Sequence, residues 1–385
     1  MMNPGKSPFF TEEHEAFRSV VRRFVAKEIE PFASEWDEAG EFPRDLYRKA
    51  AAIGLLGLGF PEAFGGTPAD QFMRIVVSQE MARHGAGGVN AGLMSHGIGA
   101  PPIVAGGRPE VQARVLPQII AGEKISALAI TEPNGGSDVA NLRTTARRDG
   151  DHYIVNGEKT FITSGMRADW LTVAVRTGGA GPGGVSMLLI PGDTPGLSRA
   201  KLKKMGWWAS DTATLHFADC RVPVEYLIGD EGGGFQIIMR NFNSERMGMS
   251  ASCAAYARVC VEEAIGYARQ RETFGKPLTQ HQVIRHKLVD MMQKVVATES
   301  MLMLLAWRLT QGESPVAEIC MLKNQATQTM AHCASEAVQI FGGAGYIADY
   351  GIERFYRDVR IFRIYEGTSQ IQQVIISRET LKRGG

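Results

Sequence analysis

The chain opens with apolar residues at helical spacing. Phe17, Val21 and Phe24 lie three or four positions apart and are interleaved with basic residues, which is the pattern of an amphipathic helix. Thr11 stands just before this segment in a position to cap it, and Pro31 ends or kinks it. Similar patterns recur up to about Gly122. We therefore predict a helical N-terminal domain over residues 1–125.

From residue 126 the pattern changes to short runs of β-branched residues separated by turn residues. Arg148-Asp149-Gly150-Asp151 and Asn156-Gly157 have the sequences of hairpin turns, and Gly178 to Gly184 has the composition of a loop tip. The sequence predicts a compact, barrel-like antiparallel β domain over residues 126–234.

Long helical patterns return after about Gly233 and occupy residues 245–269, 280–309 and 315–341. Their length and their apolar spacing indicate an up-and-down four-helix bundle, predicted over residues 235–385. The predicted fold class is α+β and multidomain. Helices come first, an antiparallel β domain lies in the middle, and a helical bundle comes last.

Composition narrows the class of protein. The 385 residues carry 42 basic and 41 acidic side chains, a net charge of +1, so no global field favours nucleic acid or membrane. The five cysteines have no CxxC or zinc-like spacing, which indicates a reducing compartment and neither a disulfide framework nor a metal. With no leader-like or membrane-spanning apolar run, we expect a cytoplasmic protein.

The strongest candidate chemistry lies in the C-terminal sequence Tyr-Glu-Gly-Thr-Ser-Gln-Ile-Gln, residues 365–372. Ser369 and Gln372 have the spacing of a capping box, so a helix is predicted to begin there. Glu366 then lies in a loop just before that helix, where Gly367 allows a sharp turn and the close approach of a ligand. Such a carboxylate suits a proton-abstracting base, and it equally suits an ordinary surface glutamate.

Two glycine-containing segments invite a phosphate-binding interpretation. Residues 130–138 join a strand end to a glycine-rich loop, whose N–H groups suit anionic oxygens; the alternative is a surface turn. Residues 343–348 read Gly-Ala-Gly-Tyr-Ile-Ala and match the dinucleotide fingerprint literally. That fingerprint requires a preceding strand. A helix is predicted there, so we reject the Rossmann reading.

The motif around Glu366 resembles the C-terminal signature of the acyl-CoA dehydrogenase family, and the resemblance extends from about residue 10 to residue 380. It implies an FAD enzyme that converts an acyl-CoA thioester to the trans-2-enoyl-CoA. Glu366 would remove the α-proton, and the β-hydrogen would leave as hydride to the flavin. Some branches of the family carry their base at the position of Glu245, which makes Glu245 the alternative base.

The resemblance also implies the ligand contacts. Phe161 stands where the family usually has tryptophan, so an aromatic face remains without the indole N–H. The helix end at Gly342 would contact the FAD of a neighbouring subunit. The implied FAD contacts are Leu128, Ile130, Thr131, Ser137, Phe161, Thr163, Arg271, Thr273, Phe274, Gln282, Gln339, Gly342, Gly343, Thr368 and Gln370. The implied acyl-CoA contacts are Ser137, Asn243, Arg246 and Gly367.

By the same resemblance we expect a homotetramer that serves fatty-acid β-oxidation and passes electrons to an electron-transferring flavoprotein. An acyl-CoA oxidase, or a catalytically silent protein that binds acyl-CoA and FAD, is the alternative. A glutaryl-type decarboxylase needs a cation for the distal carboxylate, and Gly85 to Gly107 has no Lys or Arg. A di-iron bundle needs Glu-x-x-His pairs, which this sequence lacks.

Overall fold

Helices fill the first third of the chain in a computed structural model that describes residues 7–383, apart from the side chains of Asn241, Asn243, Ser244 and Arg383. Thr11 caps the first helix as predicted, since its Oγ1 accepts the His14 N–H at 3.4 Å. A π-helical turn over Val25–Ile29 and a 3-10 turn over Glu30–Phe32, which contains Pro31, follow this helix. These helices are α1 (Glu12–Phe24), α2 (Ala33–Ala39), α3 (Asp45–Ala52), α4 (Gln71–Met81), α5 (Gly87–Leu93), α6 (His96–Gly99), α7 (Pro101–Gly106) and α8 (Pro109–Ile120).

A single sheet of eight strands forms the middle of the chain. Its inward faces bury apolar residues such as Val155, Leu171 and Leu215. The strands are β1 (Ser126–Ala129), β2 (Thr145–Asp149), β3 (His152–Ile162), β4 (Trp170–Arg176), β5 (Val185–Pro191), β6 (Leu197–Lys201), β7 (Ala213–Pro223) and β8 (Leu227–Ile228). Their order in the sheet is β6-β7-β3-β2-β4-β5-β8, with β1 beside β4.

The sheet departs from the sequence prediction in two respects. It is mixed, because β1 runs parallel to β4 with Ser126 opposite Trp170, and β2 meets β4 in the same sense. The predicted hairpin turn at Asn156-Gly157 is a bulge inside the continuous strand β3. Gly157, at φ +143°, provides the irregular backbone that such a bulge requires.

The C-terminal helices are α9 (Gly234–Gln270), α10 (Gln282–Thr310), α11 (Val316–Phe341), α12 (Ile352–Asp358) and α13 (Ser369–Arg383). A short hairpin of β9 (Glu272–Thr273) and β10 (Lys276–Pro277) joins α9 to α10. Small buried residues such as Ala257, Ala264 and Ala334 let α9 and α11 pack closely. Within residues 7–383 we find no helix with the length and apolarity to cross a bilayer.

Candidate active site

Glu366 lies in a strained turn immediately before α13. Its φ is +53° and that of Gly367 is +89°, so two consecutive residues adopt the left-handed conformation. A non-glycine residue held there costs energy and is a frequent feature of functional sites. The side chain of Glu366 is half-buried, and among the described residues its Oε2 atom is inaccessible and has no hydrogen-bond partner.

The electrostatic surroundings of Glu366 favour the protonated carboxyl. Burial raises the pKa of Glu366 well above its ordinary value, and the nearby charge of Glu245 raises this pKa further. The cations Lys323 and Arg246 act in the opposite direction on the same pKa. A carboxylate with a raised pKa is a stronger base once ionised, so these surroundings suit proton abstraction.

Two buried side chains hold this turn, and the sequence analysis did not single out one of them, Lys323. Lys323 of α11 donates to Gly367 O at 2.8 Å and to Tyr365 O at 3.4 Å. Gln372 of α13 donates to Gly367 O at 3.1 Å and to Glu366 O at 3.3 Å. The signal in the sequence was a lysine on the apolar face of a long helix, next to Leu322.

The predicted capping box at Ser369 and Gln372 is wrong in detail, although α13 begins at Ser369 as expected. Thr368 caps the helix, because its Oγ1 accepts the Ile371 N–H at 3.2 Å. The Gln372 side chain reaches the carbonyls before the helix instead of the Ser369 backbone. The glutamine therefore supports the Glu366 turn.

Glu245 and Arg246 lie on α9 within electrostatic range of Glu366. The Arg246 guanidinium carbon is 6.0 Å from the centre of the Phe242 ring, and Arg246 is buried. Asn243 is on the same helix, but its side chain lies outside the described residues. The structure thus brings both candidate bases and two predicted substrate contacts, Arg246 and Gly367, together beside the first half of α9.

The predicted flavin segments meet at the ends of β1 and β3. Thr160 N donates to Thr131 O at 2.8 Å, which sets Leu128, Ile130 and Thr131 beside Phe161 and Thr163. Phe161 adopts φ +61°, and 67% of its surface is exposed. A large ring held open to solvent in a strained conformation offers a stacking face. Ser137 is exposed on the adjacent loop.

The remaining predicted FAD contacts lie at the far end of the bundle. Arg271, Thr273 and Phe274 are on the β9–β10 hairpin, where Phe274 is 97% exposed at φ +52°. The stack of Tyr267 on Phe341, with ring centroids 4.1 Å apart, places this hairpin near the end of α11. Three further predicted contacts are exposed at that end of α11, namely Gln339, Gly342 and Gly343, and Gln282 is exposed at the start of α10.

Thr368 and Gln370 do not join that group within one chain. They lie beside Lys323, which precedes Phe341 by eighteen residues of continuous α11. At 1.5 Å per residue this separates the two sets by about 27 Å along the helix. The family resemblance implies that both sets contact FAD, with the Gly342 helix end reaching the FAD of a neighbouring subunit, and a single chain does not bring the two sets together. Gly342 follows a helix and not a strand, which agrees with the rejection of a Rossmann fingerprint at residues 343–348.

Three sequence profiles together match most of the chain. They are "Acyl-CoA dehydrogenase, N-terminal domain" over residues 11–123, "Acyl-CoA dehydrogenase, middle domain" over 127–220 and "Acyl-CoA dehydrogenase, C-terminal domain" over 232–381.

Relatives match over nearly their whole length. The chain is 36% identical to a 3-(aryl)acrylate reductase of Clostridium sporogenes, covering 97% of this chain and 100% of the relative. It is 38% identical to the mitochondrial isobutyryl-CoA dehydrogenase of Dictyostelium discoideum, covering 98% and 92%.

Solved structures agree in fold. A probable acyl-CoA dehydrogenase of Mycobacterium abscessus superposes with a TM-score of 0.95 at 46% identity, covering 97% of this chain and 100% of that one. A structure described as an electron transferring flavoprotein of Acidaminococcus fermentans superposes with a TM-score of 0.93 at 33% identity, covering 97% and 99%.

Proposed function

Because the chain belongs to the acyl-CoA dehydrogenase family, whose members are FAD-dependent oxidoreductases, we propose that it converts an acyl-CoA to the trans-2-enoyl-CoA with Glu366 as the base. The observation that carries this proposal is the Glu366 turn. Its carboxyl is half-buried in a left-handed backbone conformation, has a raised pKa and retains an oxygen without a partner among the described residues. A carboxyl group with these properties is suited to act as a general base.

The residues of this chain act on the α-carbon. An α-hydrogen of a thioester is too weak an acid for a carboxylate in water, so the site must fix the geometry and stabilise the developing enolate oxygen. Glu366 removes the α-proton, and its backbone N–H helps hold the enolate oxygen. The CoA thioester is bound by Arg246, Asn243, Ser137 and Gly367. Bound FAD supplies the chemistry that accepts the β-hydrogen as hydride.

The residues present fit an FAD site. Thr131, Phe161 and Thr163 would hold the flavin ring, with the exposed Phe161 ring covering one face. Arg271 and Phe274 of the exposed hairpin would hold the pyrophosphate and adenine. The separation of this hairpin from Thr368 along the bundle supports a cofactor shared between two subunits. We therefore propose an obligate oligomer, a homotetramer by family analogy.

We propose a short or branched acyl chain. Tyr365, next to the base, packs edge to face on the buried Trp207 with ring centroids 5.3 Å apart, and Phe362 packs on both rings. Bulky rings beside the base leave less room for a long chain. The isobutyryl-CoA dehydrogenase among the relatives acts on such a group by its name.

We also propose the domain boundaries, the electron acceptor and the cellular role of this chain. Domain boundaries at residues 125/126 and 234/235 fit a first strand at Ser126 and a helix beginning at Gly234. An electron-transferring flavoprotein is the proposed acceptor, supported by the structure that carries this description. A cytoplasmic location and a role in β-oxidation rest on the sequence and the family.

Anaerobic mixing with isobutyryl-CoA tests the function. We expect the flavin absorbance to bleach and the enoyl-CoA to form, and Glu366→Gln to keep FAD and lose nearly all of this reaction. Protein that is colourless, refuses FAD and leaves acyl-CoA esters unchanged would rule the proposal out. Peroxide produced in air at the turnover rate would identify the oxidase alternative instead. Faster turnover of palmitoyl-CoA than of isobutyryl-CoA would contradict the proposed acyl class.

A further inference from the structure

A buried lysine lies directly beneath the Glu366 turn. Lys323 is fully buried in α11, and its ammonium group donates to the carbonyl oxygens of Tyr365 and Gly367, the residues on either side of Glu366. None of the ion pairs among the described residues includes Lys323. A buried cation without a bonded carboxylate is costly, so its retention here calls for a specific role.

The turn has little other support. Three successive carbonyl oxygens, those of residues 365, 366 and 367, accept hydrogen bonds only from Lys323 and Gln372 among the described residues. The left-handed conformation at Glu366 is unfavourable by itself. An added Cβ at Gly367 would collide with Gln372 Nε2, so a side chain there would displace the amide from its bonds to the turn. The two side chains therefore keep the strained turn in place.

Lys323 also interacts electrostatically with the Glu366 carboxyl group. The groups facing Glu366 are Glu245 and Arg246 of α9 and Lys323 of α11, and the Cys253 thiol of α9 lies near both Lys323 and Glu366. Burial lowers the pKa of Lys323 to about 8, which leaves it mostly protonated at neutral pH. Among the acidic groups, Glu366 and the two thiols Cys253 and Cys320 interact with this ammonium group.

We propose that Lys323 is a positioning residue for Glu366, which fastens the turn through the flanking carbonyls and supplies the positive charge that helps the base ionise between turnovers. Gln372 is its uncharged counterpart, which fastens the turn without affecting the charge balance. This inference rests on the proposed role of Glu366. It places the support of the Glu366 turn on α11, outside the sequence motif around Glu366.

The test measures proton abstraction by Glu366 separately from hydride transfer. An acyl-CoA with sulfur in place of its β-methylene has no β-hydrogen to lose as hydride. In the FAD-loaded enzyme, the rate at which its α-hydrogens exchange with D2O, monitored by NMR, therefore measures proton abstraction only. Lys323→Met removes both donor and charge, whereas Gln372→Met removes a donor and no charge. FAD content and affinity for the analogue are measured in parallel, so that exchange rates are compared only between enzymes with FAD and the analogue bound.

We expect Lys323→Met to slow exchange by at least about tenfold at pH 7, with a smaller loss at higher pH because the more basic Glu366 is then ionised. Gln372→Met should slow exchange by the same factor at every pH. Wild-type exchange in Lys323→Met, or a loss independent of pH, overturns the inference. Should Lys323→Met fail to fold, Lys323→Gln, which keeps a donor, must give the same pH-dependent loss. Exchange that survives in Glu366→Gln instead refutes the proposed base.

Discussion

Lys159 and Glu132 form an ion pair that is closed to solvent on both sides, with Nζ and Oε1 2.8 Å apart and 0% and 3% of the two side chains exposed. Lys159 also donates to Ile130 O at 3.0 Å, and Glu132 accepts the N–H groups of Arg143 and Thr144. The pair fastens the loop that carries Thr131 to the strand that carries Phe161. It thus supports the proposed flavin site without belonging to it.

Lys159→Met leaves Glu132 as an uncompensated buried charge. Breaking a buried pair in this way typically costs about 3–5 kcal/mol, so we expect urea unfolding to show a loss of that order and FAD to bind more weakly. Exposed Lys203→Met is the matched control and should change neither. If the stability of Lys159→Met stays within error of wild type, the pair does not hold the loop.

Proton abstraction should depend on pH through Glu366. Only the ionised carboxylate is a base, and burial together with Glu245 raises its pKa. The rate of flavin reduction should therefore fall with decreasing pH at a higher pH than for an exposed glutamate. Glu245→Gln removes one cause of the raised pKa, so the midpoint should move to lower pH. Loss of turnover in Glu245→Gln together with normal turnover in Glu366→Gln would make Glu245 the base.

His84 should make the fold sensitive to acid. Its Nδ1 accepts the Ala86 N–H at 3.0 Å and its Nε2 lies 2.8 Å from Asn90 Oδ1, which requires the neutral ring, and burial lowers its pKa to about 4. A folded-state pKa below the unfolded value means that stability is lost as pH falls from about 6.5 to about 4, by roughly 3 kcal/mol in total.

Denaturant unfolding between pH 7 and pH 4 measures this effect. His84→Gln should give a flatter decline in the free energy of unfolding than wild type, because the amide does not titrate. His286 is exposed, so His286→Gln should leave the slope as it is. If the free energy of unfolding declines with pH equally in all three proteins, His84 does not cause the acid sensitivity.

A cofactor site shared between subunits predicts complementation. Arg271→Glu and Thr368→Trp alter opposite ends of the bundle, and each alone should abolish FAD binding. Mixed oligomers of the two variants should regain yellow colour and activity in those sites that combine an intact Arg271 with an intact Thr368. Mixing that restores nothing, although gel filtration shows mixed oligomers, would place the whole site in one chain.

Local sequence patterns predicted the order of helical, β and helical regions and the location of Glu366 just before a helix. Those features are local, since apolar periodicity sets helices and strands and a motif of eight residues identifies the turn. The family resemblance read from that motif is confirmed by profiles over residues 11–123, 127–220 and 232–381. The hairpin prediction at Asn156-Gly157 failed because strand pairing with β7 outweighed the turn preference of two residues.

The side chains that surround those features come from distant parts of the chain, and their positions depend on how the elements pack. Lys323 is 43 positions before Glu366 in the chain, and no periodicity relates it to the carbonyl oxygens it bonds. The same holds for Lys159 with Glu132, and for the distance that separates Arg271 from Thr368 along the bundle. Buried polar contacts of this kind depend on how whole elements pack, because a donor and an acceptor are matched across the core and not along the chain.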